Sequence, residues 1–217
     1  MTNNSEKSRL SADDIQDRLL NTAERLFAEK GFDGVSVREI TSEAGCNVAS
    51  VNYYFGGKDG LYLEVFRRRL VILRDVRIEG INSFMASKGD DAVLEELLRA
   101  FADAFFAPLR GRGEAQKIMR LIFREMLSPR LPEGMFFEEM IGPILQVLLK
   151  ALRRICPQLD HESALLCIQS FVAQLKHTLL MKEMASDIDR SGWTGFDFER
   201  ARDHVIAFTA AGIRACC

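Results

Sequence analysis

The stretch VSVREITSEAGCNVASVNYYFGGKDGL, from Val35 to Leu61, constrains this chain more than any other. Ser36 followed by Glu39 has the spacing of a capping box, which opens a short helix through Ala44. Gly45 gives the backbone freedom needed to end it. Asn47 then caps a second short helix that runs to about Tyr54. Val37 and Ile40 share one face of the first helix, and Val51 and Phe55 return to the same core from the second. Two short capped helices across a tight turn have the layout of a helix-turn-helix, whose second helix enters the major groove of DNA. On that helix the groove-facing side carries Val48, Ala49, Ser50, Asn52 and Tyr53. Small side chains allow close approach, Ser and Asn hydrogen-bond base edges or phosphates, and Val and Ala meet thymine methyls. Tyr53 and Tyr54, read as an exposed pair beside Lys58, supply phosphate contacts. A plain three-helix packing unit has the same spacing, so the pattern alone leaves both readings open.

Apolar residues elsewhere recur at three and four, and β-branched alternation is absent, which predicts an all-α chain. Ser11 caps a first helix that carries Ile15, Leu19, Ala23, Leu26 and Phe27 on one face and ends at Gly31. A long helix runs from Lys58 to about Glu79. Further helices are expected over 90–107, 114–127, 135–154, 161–185 and 198–214. The domain boundary should fall within the long helix or near its end. The organisation expected is a helix-turn-helix domain over 11–58, followed by a larger helical ligand-binding and dimerisation domain over 59–217.

Charge does not advertise a nucleic-acid binder. The formal net charge is −2, and the first sixty residues hold seven Lys or Arg against ten Asp or Glu. The case for DNA therefore rests on where the few cations sit. Arg67, Arg68 and Arg69 begin to restore positive charge, although they fit a solvated helix face equally well. Cys46, Cys156, Cys167, Cys216 and Cys217 have neither redox nor zinc spacing and read as free thiols. No metal or cofactor motif, nucleophile elbow, P-loop or dinucleotide fingerprint occurs, and Asp160-His161-Glu162 point different ways on a helix, so no enzyme is expected. No run approaches the apolar length of a membrane span and no signal peptide is visible, which points to the cytoplasm.

The same residues carry a family resemblance. Leu26-Phe27-Ala28-Glu29-Lys30-Gly31-Phe32, Val37-Arg38-Glu39-Ile40, Ala44-Gly45, Tyr54-Phe55, Lys58-Asp59 and Leu61 make residues 11–61 similar to the DNA-binding domain of the TetR family of bacterial repressors. The resemblance implies that Ser36, Tyr53, Tyr54 and Lys58 touch phosphates. It implies that Val48, Ala49, Ser50 and Asn52 read or crowd the bases, with the cap Asn47 completing the DNA-binding set. Thr41 stands where alanine is usual, Cys46 where valine is usual and Asn52 where tyrosine is usual. The segment AGCNVASVNYYFGGKDGLY is close to a subgroup that resembles regulators of efflux or transport genes.

A helix-turn-helix monomer reads one half-site, so DNA recognition favours a homodimer. The family resemblance places that contact on the last two long helices, as a four-helix bundle. There Leu165, Ile168, Phe171, Val172, Leu175 and Leu179 trace one apolar stripe, and Val205, Ile206, Phe208 and Ile213 a second; both stripes also fit an intramolecular core. Phe101, Phe105, Met119, Phe123 and Met126 are large, adaptable residues suited to lining an effector cavity, with Gln174 and His177 as its polar contacts. The lack of an arginine cluster in 90–107 favours a neutral or weakly charged aromatic effector over a phosphorylated one. The expected function is a ligand-responsive repressor that binds a palindromic operator as a homodimer and is released by a small apolar or aromatic molecule. The alternative is a helical protein of the same type that acts through a protein partner without DNA.

Overall fold

The computed structural model describes residues 12–109, 117, 121–122, 124–125, 129–188 and 196–217. The fold is all-α. Helices α1 (Ala12–Lys30), α2 (Val37–Ala44), α3 (Val48–Phe55), α4 (Lys58–Lys88) and α5 (Leu94–Phe106) follow in order. A π-helical turn, Phe137–Ile141, leads into α6 (Gly142–Ile155), followed by α7 (His161–Ile188) and α8 (Phe198–Ala215). Tertiary contacts divide the chain into two compact units, Met1–Arg69 with Lys117–Pro132, and Leu70–Gln116 with Glu133–Cys217. The division falls inside α4. The cap expected at Ser11, and most of the helix expected over 114–127, lie outside the described residues; of that helix Lys117, Leu121, Ile122, Arg124 and Glu125 are described and helical.

In the first unit, Leu19, Ala23, Leu26 and Phe27 of α1 close on Ile40 of α2, Val51 of α3, and Leu61 and Phe66 of α4, all essentially inaccessible. Rings thicken this core. Tyr62 meets Phe27 and Phe32 edge-on, each at 5.0 Å, and Phe66 at 5.0 Å. The Glu125 carboxylate is buried beside them and accepts from the Tyr62 hydroxyl at 2.9 Å and from the backbone amides of Arg130 at 2.6 Å and Leu131 at 2.7 Å. Three donors satisfy a charge that would otherwise be expensive to bury. Arg124 donates to the Glu29 carbonyl at 2.9 Å and ties the same segment to the end of α1.

The second unit packs Leu97, Leu98, Phe101 and Ala102 of α5 against Leu148 and Leu152 of α6, Phe171 and Leu175 of α7, and Val205, Ile206, Ala210 and Ile213 of α8. A void of about 10 Å³ remains between Leu97, Leu98, Leu148, Leu152, Ile168, Phe171 and Ile213, close to the least that holds one water.

Three expectations need correction. Helix α4 continues past Glu79 to Lys88. Gly80 does not break it: a Cβ there would lie 2.6 Å from the Ala104 Cβ, so the glycine lets α4 and α5 approach closely. The single helix expected over 135–154 begins instead as a π turn. Pro143 has no N–H to offer the Glu139 carbonyl, and Arg74 donates to that oxygen instead at 3.3 Å. Finally, the segment His161–Lys182 is long and apolar enough by composition to cross a membrane, with a mean hydropathy of 1.3. It passes because apolar residues extend beyond its buried side: Ala164, Ile168, Phe171, Leu175 and Leu179 are buried, while Leu166, Ala173 and Leu180 are exposed among Gln169, Ser170, Lys176 and His177.

Burial, reinforced by the Glu125 carboxylate, holds the Tyr62 phenol protonated above its ordinary value of 10.0. A pKa raised on folding contributes stability that is present below pH 10.0 and lost as pH climbs toward the folded value. Tyr62→Phe is expected to cost about 1–3 kcal/mol at neutral pH and to remove part of the alkaline loss of stability. Urea titrations of both proteins at about pH 7 and above about pH 10 check this.

Candidate nucleic-acid interface

The turn between α2 and α3 is built from backbone geometry. Ser36 is extended at φ −101° and its hydroxyl accepts from the Glu39 amide at 3.1 Å. The Glu39 carboxylate pairs with the Lys30 ammonium and also accepts from the Ser36 amide, which holds it below the usual carboxylate range. Gly45 sits in the left-handed region at φ 60°; its amide reaches the Ser42 carbonyl at 3.2 Å and the next amide, Cys46, reaches Thr41 at 2.8 Å. This paired closure satisfies two end carbonyls of α2. Asn47 accepts from the Ala49 amide at 2.9 Å and starts α3. Thr41 is buried and donates to the Val37 carbonyl at 2.9 Å, so its hydroxyl is accommodated where alanine is the commoner choice.

Helix α3 buries one side chain completely, Val51. Ser50, Tyr54 and Phe55 are half-buried, and Val48, Ala49, Asn52 and Tyr53 are exposed, Tyr53 to 82%. The structure thus brings Val48, Ala49, Ser50, Asn52 and Tyr53 together on one short helix, with the caps Ser36 and Asn47 exposed at the starts of α2 and α3. The reading of an exposed tyrosine pair is corrected. Tyr53 projects, but Tyr54 is half-buried, edge-on to Tyr53 at 4.8 Å and to Phe55 at 6.4 Å. Lys58 is half-buried too, its ammonium 4.1 Å from the centre of the Phe32 ring. The Arg130 guanidinium also lies over that ring, at 4.4 Å.

The acidic surplus is largely spent inside the unit. Asp33 pairs with Arg130, Asp17 with Arg68, Glu24 with Arg69, and both Glu29 and Glu43 with Arg25. Arg67 pairs with Glu64 at 2.8 Å. The run Arg67–Arg69 therefore faces carboxylates and adds no free positive charge. Sequence reasoning passed over Arg38, which is exposed on α2 and has no ion pair among the described residues. No local pattern distinguishes it from its neighbours, because the pairing that leaves it free is tertiary.

The residues expected to line an effector cavity lie in different surroundings. Phe101 is buried between Phe105 and Phe171, with ring centres 6.2 and 5.9 Å away. Phe105 is buried against Phe106 at 5.3 Å. Gln174 is half-buried, and His177 is exposed on α7. None of these four lines the void of the second unit except through the shared neighbour Phe171. Met119, Phe123 and Met126 lie outside the described residues. The cysteines are unbridged, but tertiary structure sets the Cys217 thiol beside Cys156 and that of Cys216 beside Cys167.

Substitution of Gly45 tests the turn. Alanine there must adopt a left-handed backbone, and its Cβ would lie 2.6 Å from the Arg18 guanidinium, which donates to the Ala44 carbonyl. Gly45→Ala is expected to destabilise the first unit by roughly 1–2 kcal/mol. Thermal unfolding followed by circular dichroism measures the loss.

Comparison with known proteins agrees with this geometry. Residues 19–65 match the bacterial regulatory proteins of the tetR family, and residues 99–212 match the tetracyclin repressor-like C-terminal domain. The HTH-type transcriptional dual regulator CecR of Shigella flexneri is 27% identical over 198 residues, covering 88% of this chain and 86% of its own. A transcriptional regulator from Pseudomonas aeruginosa PAO1 has the same fold, with a TM-score of 0.69 at 21% identity over 98% of this chain and 99% of that one. So does a regulator from Saccharomonospora viridis solved in complex with choline, with a TM-score of 0.62 at 21% identity over 90% and 95% of the two chains. The chain belongs to the TetR family, whose members are helix-turn-helix regulators of transcription and not enzymes.

Proposed function

We propose that this protein binds a palindromic operator as a homodimer in the cytoplasm, represses transcription there, and is released by a small apolar or aromatic effector. The observation that carries the DNA reading is α3, which commits one side chain fully to the core and leaves Val48, Ala49, Asn52 and Tyr53 bare. No charged residue lies between Cys46 and Gly57, so base reading there falls to shape, Ser50 and Asn52, and apolar contact. Ser36, Asn47, Tyr53, Tyr54 and Lys58 serve the phosphates, joined by Arg38. Residues 11–58 form the DNA-binding domain, and 59–217 the part that dimerises and takes the effector.

Of the stripes expected for the dimer, Phe208 stays bare and Leu165 and Val172 are half-buried. Ile168, Phe171, Leu175, Leu179, Val205, Ile206 and Ile213 are consumed by the chain's own core. What stays bare on α7 is Leu166, Ala173 and Leu180; on α8 it is Ala207, Phe208, Ala211 and Gly212, with Phe208 62% exposed. Small residues beside a few large ones allow two helix pairs to pack closely. The effector reading is supported by family membership and by the choline complex of the S. viridis relative. An effector changes DNA affinity only if it prefers one spacing of the two DNA-binding heads, which must match major grooves roughly 34–36 Å apart. Helix α4 belongs to both units as one unbroken run of 31 residues, so it can carry a tilt to the head.

Arg38→Ala and Lys58→Ala are expected to weaken binding to all DNA sequences alike and to reduce the salt slope by about one phosphate each. Asn52→Ala is expected to change sequence preference. Fluorescence anisotropy on DNA from upstream of the gene, at several salt concentrations, measures both. Salt-independent or absent DNA binding would favour action through a protein partner. Phe208→Asp and Leu166→Asp should give folded monomers, whereas Phe171→Asp should unfold the chain, because a buried unpaired charge costs about 3–5 kcal/mol. Sedimentation combined with circular dichroism separates these outcomes.

A further inference from the structure

Charged groups buried in this fold are paired, with one exception among the described residues. Glu125 has its three donors. The Arg202 guanidinium, 13% exposed, meets Asp103 at 3.3 Å, Glu199 at 2.5 Å and Asp203 at 2.9 Å. Arg68 and Arg69 each keep one nitrogen without a hydrogen bond, but each has a carboxylate. Arg77, on α4 in the second unit and 7% exposed, has none. Its Nε has no hydrogen-bond partner, and its Nη1 reaches only the Met140 thioether at 3.3 Å. Its guanidinium carbon lies 4.4 Å from the centre of the Phe105 ring.

These neighbours compensate a buried cation poorly. A thioether is a weak acceptor, and an aromatic face returns only part of the lost hydration. Burial with no opposing carboxylate pushes the guanidinium down to about 10. Packing alone does not call for arginine here: methionine is unbranched and apolar, fills irregular gaps, and would leave no charge to solvate. Met140 lies in the π turn Phe137–Ile141, and such wide turns are frequent at functional sites. The surroundings are one planar cation, one flat ring and one thioether.

We propose that Arg77 recognises the anionic group of the effector, and that this effector is a small organic carboxylate on an apolar body. The assignment rests on the effector reading given above and narrows it. A guanidinium takes a carboxylate through two parallel hydrogen bonds, and Nε is a free donor for one of them. One cation among apolar walls matches a single negative charge; a phosphate ester would require more donors. Phe105, expected to contact the effector, has its ring against the guanidinium and would flank the bound anion. An anion seated on α4 also touches the helix that both units share, which gives it leverage on DNA affinity.

The test uses the full chain with benzoate and hexanoate as probes and benzamide and hexanamide as neutral controls. Thermal unfolding and operator binding are followed for the wild type, Arg77→Met and Arg77→Lys. Both carboxylates are expected to raise the wild-type melting temperature by a few degrees and to weaken the DNA complex several-fold, while the amides do neither. Without ligand, Arg77→Met should melt above the wild type, because an uncompensated buried charge is gone, and it should ignore the carboxylates. Arg77→Lys should keep a reduced response. Equal shifts with carboxylates and amides, or an unchanged response in Arg77→Met, would overturn the assignment. If the amides release DNA and the carboxylates do not, the effector reading stands and the role of Arg77 falls. If carboxylates stabilise the protein through Arg77 but leave DNA binding unchanged, the site stands and induction falls.

Discussion

The seat of Val51 is the contact on which the DNA-binding reading depends. An eight-residue helix is not stable alone, because the cost of nucleation is spread over too few hydrogen bonds. Here α3 is held by one fully buried valine, about 1.5–3 kcal/mol of burial, and by the Asn47 cap, about 1 kcal/mol. Tyr54 and Phe55 add partial burial. More anchoring on α3 would use up the face that must stay free. Rigidity is supplied around the helix: by the left-handed closure at Gly45, by Ile40 and Ala44 beneath it, and by the ring cluster of Phe27, Phe32 and Tyr62.

Features governed by neighbours in sequence were legible before the structure. The caps Ser36 and Asn47 and the stop at Gly45 depend on residues within a few positions, and they lie where the sequence puts them. Features governed by tertiary contact were not. The long helix reads as ending near Glu79, one residue before Gly80, until Ala104 is seen against that glycine. The apolar stripes of α7 and α8 read as a dimer face because periodicity cannot tell an intramolecular neighbour from a second chain. Of those stripes Phe208 alone stays fully bare, and α7 adds Leu166, Ala173 and Leu180 outside its stripe. The projection of Tyr53 and the half-burial of Tyr54 differ for the same reason: adjacent residues on a helix point about 100° apart.

Charge shows the same division between composition and placement. A surplus of acids in the first sixty residues argues against DNA if residues are only counted. In the fold, Arg25, Lys30, Arg68, Arg69 and Arg130 absorb most of that surplus on α1, α2 and the segments packed against them. Most of these pairs are exposed, and each contributes little to stability. Their effect is on the local field: α3 is left neutral, and Arg38 is left available beside it. Lys58 rests its ammonium on the Phe32 ring, a position it can leave at modest cost.

The close approach of α4 and α5 carries a consequence for the evolution of the chain. Gly80 and Ala104 occupy what is in effect one shared volume, since a Cβ on the first would overlap the Cβ of the second. Neither position can enlarge alone without prising the helices apart. A side chain gained at position 80 has to be matched by a loss at position 104, and the reverse exchange leaves the helix spacing unchanged. Across descendants of this sequence the two sites should therefore drift as a pair, conserving summed size rather than identity.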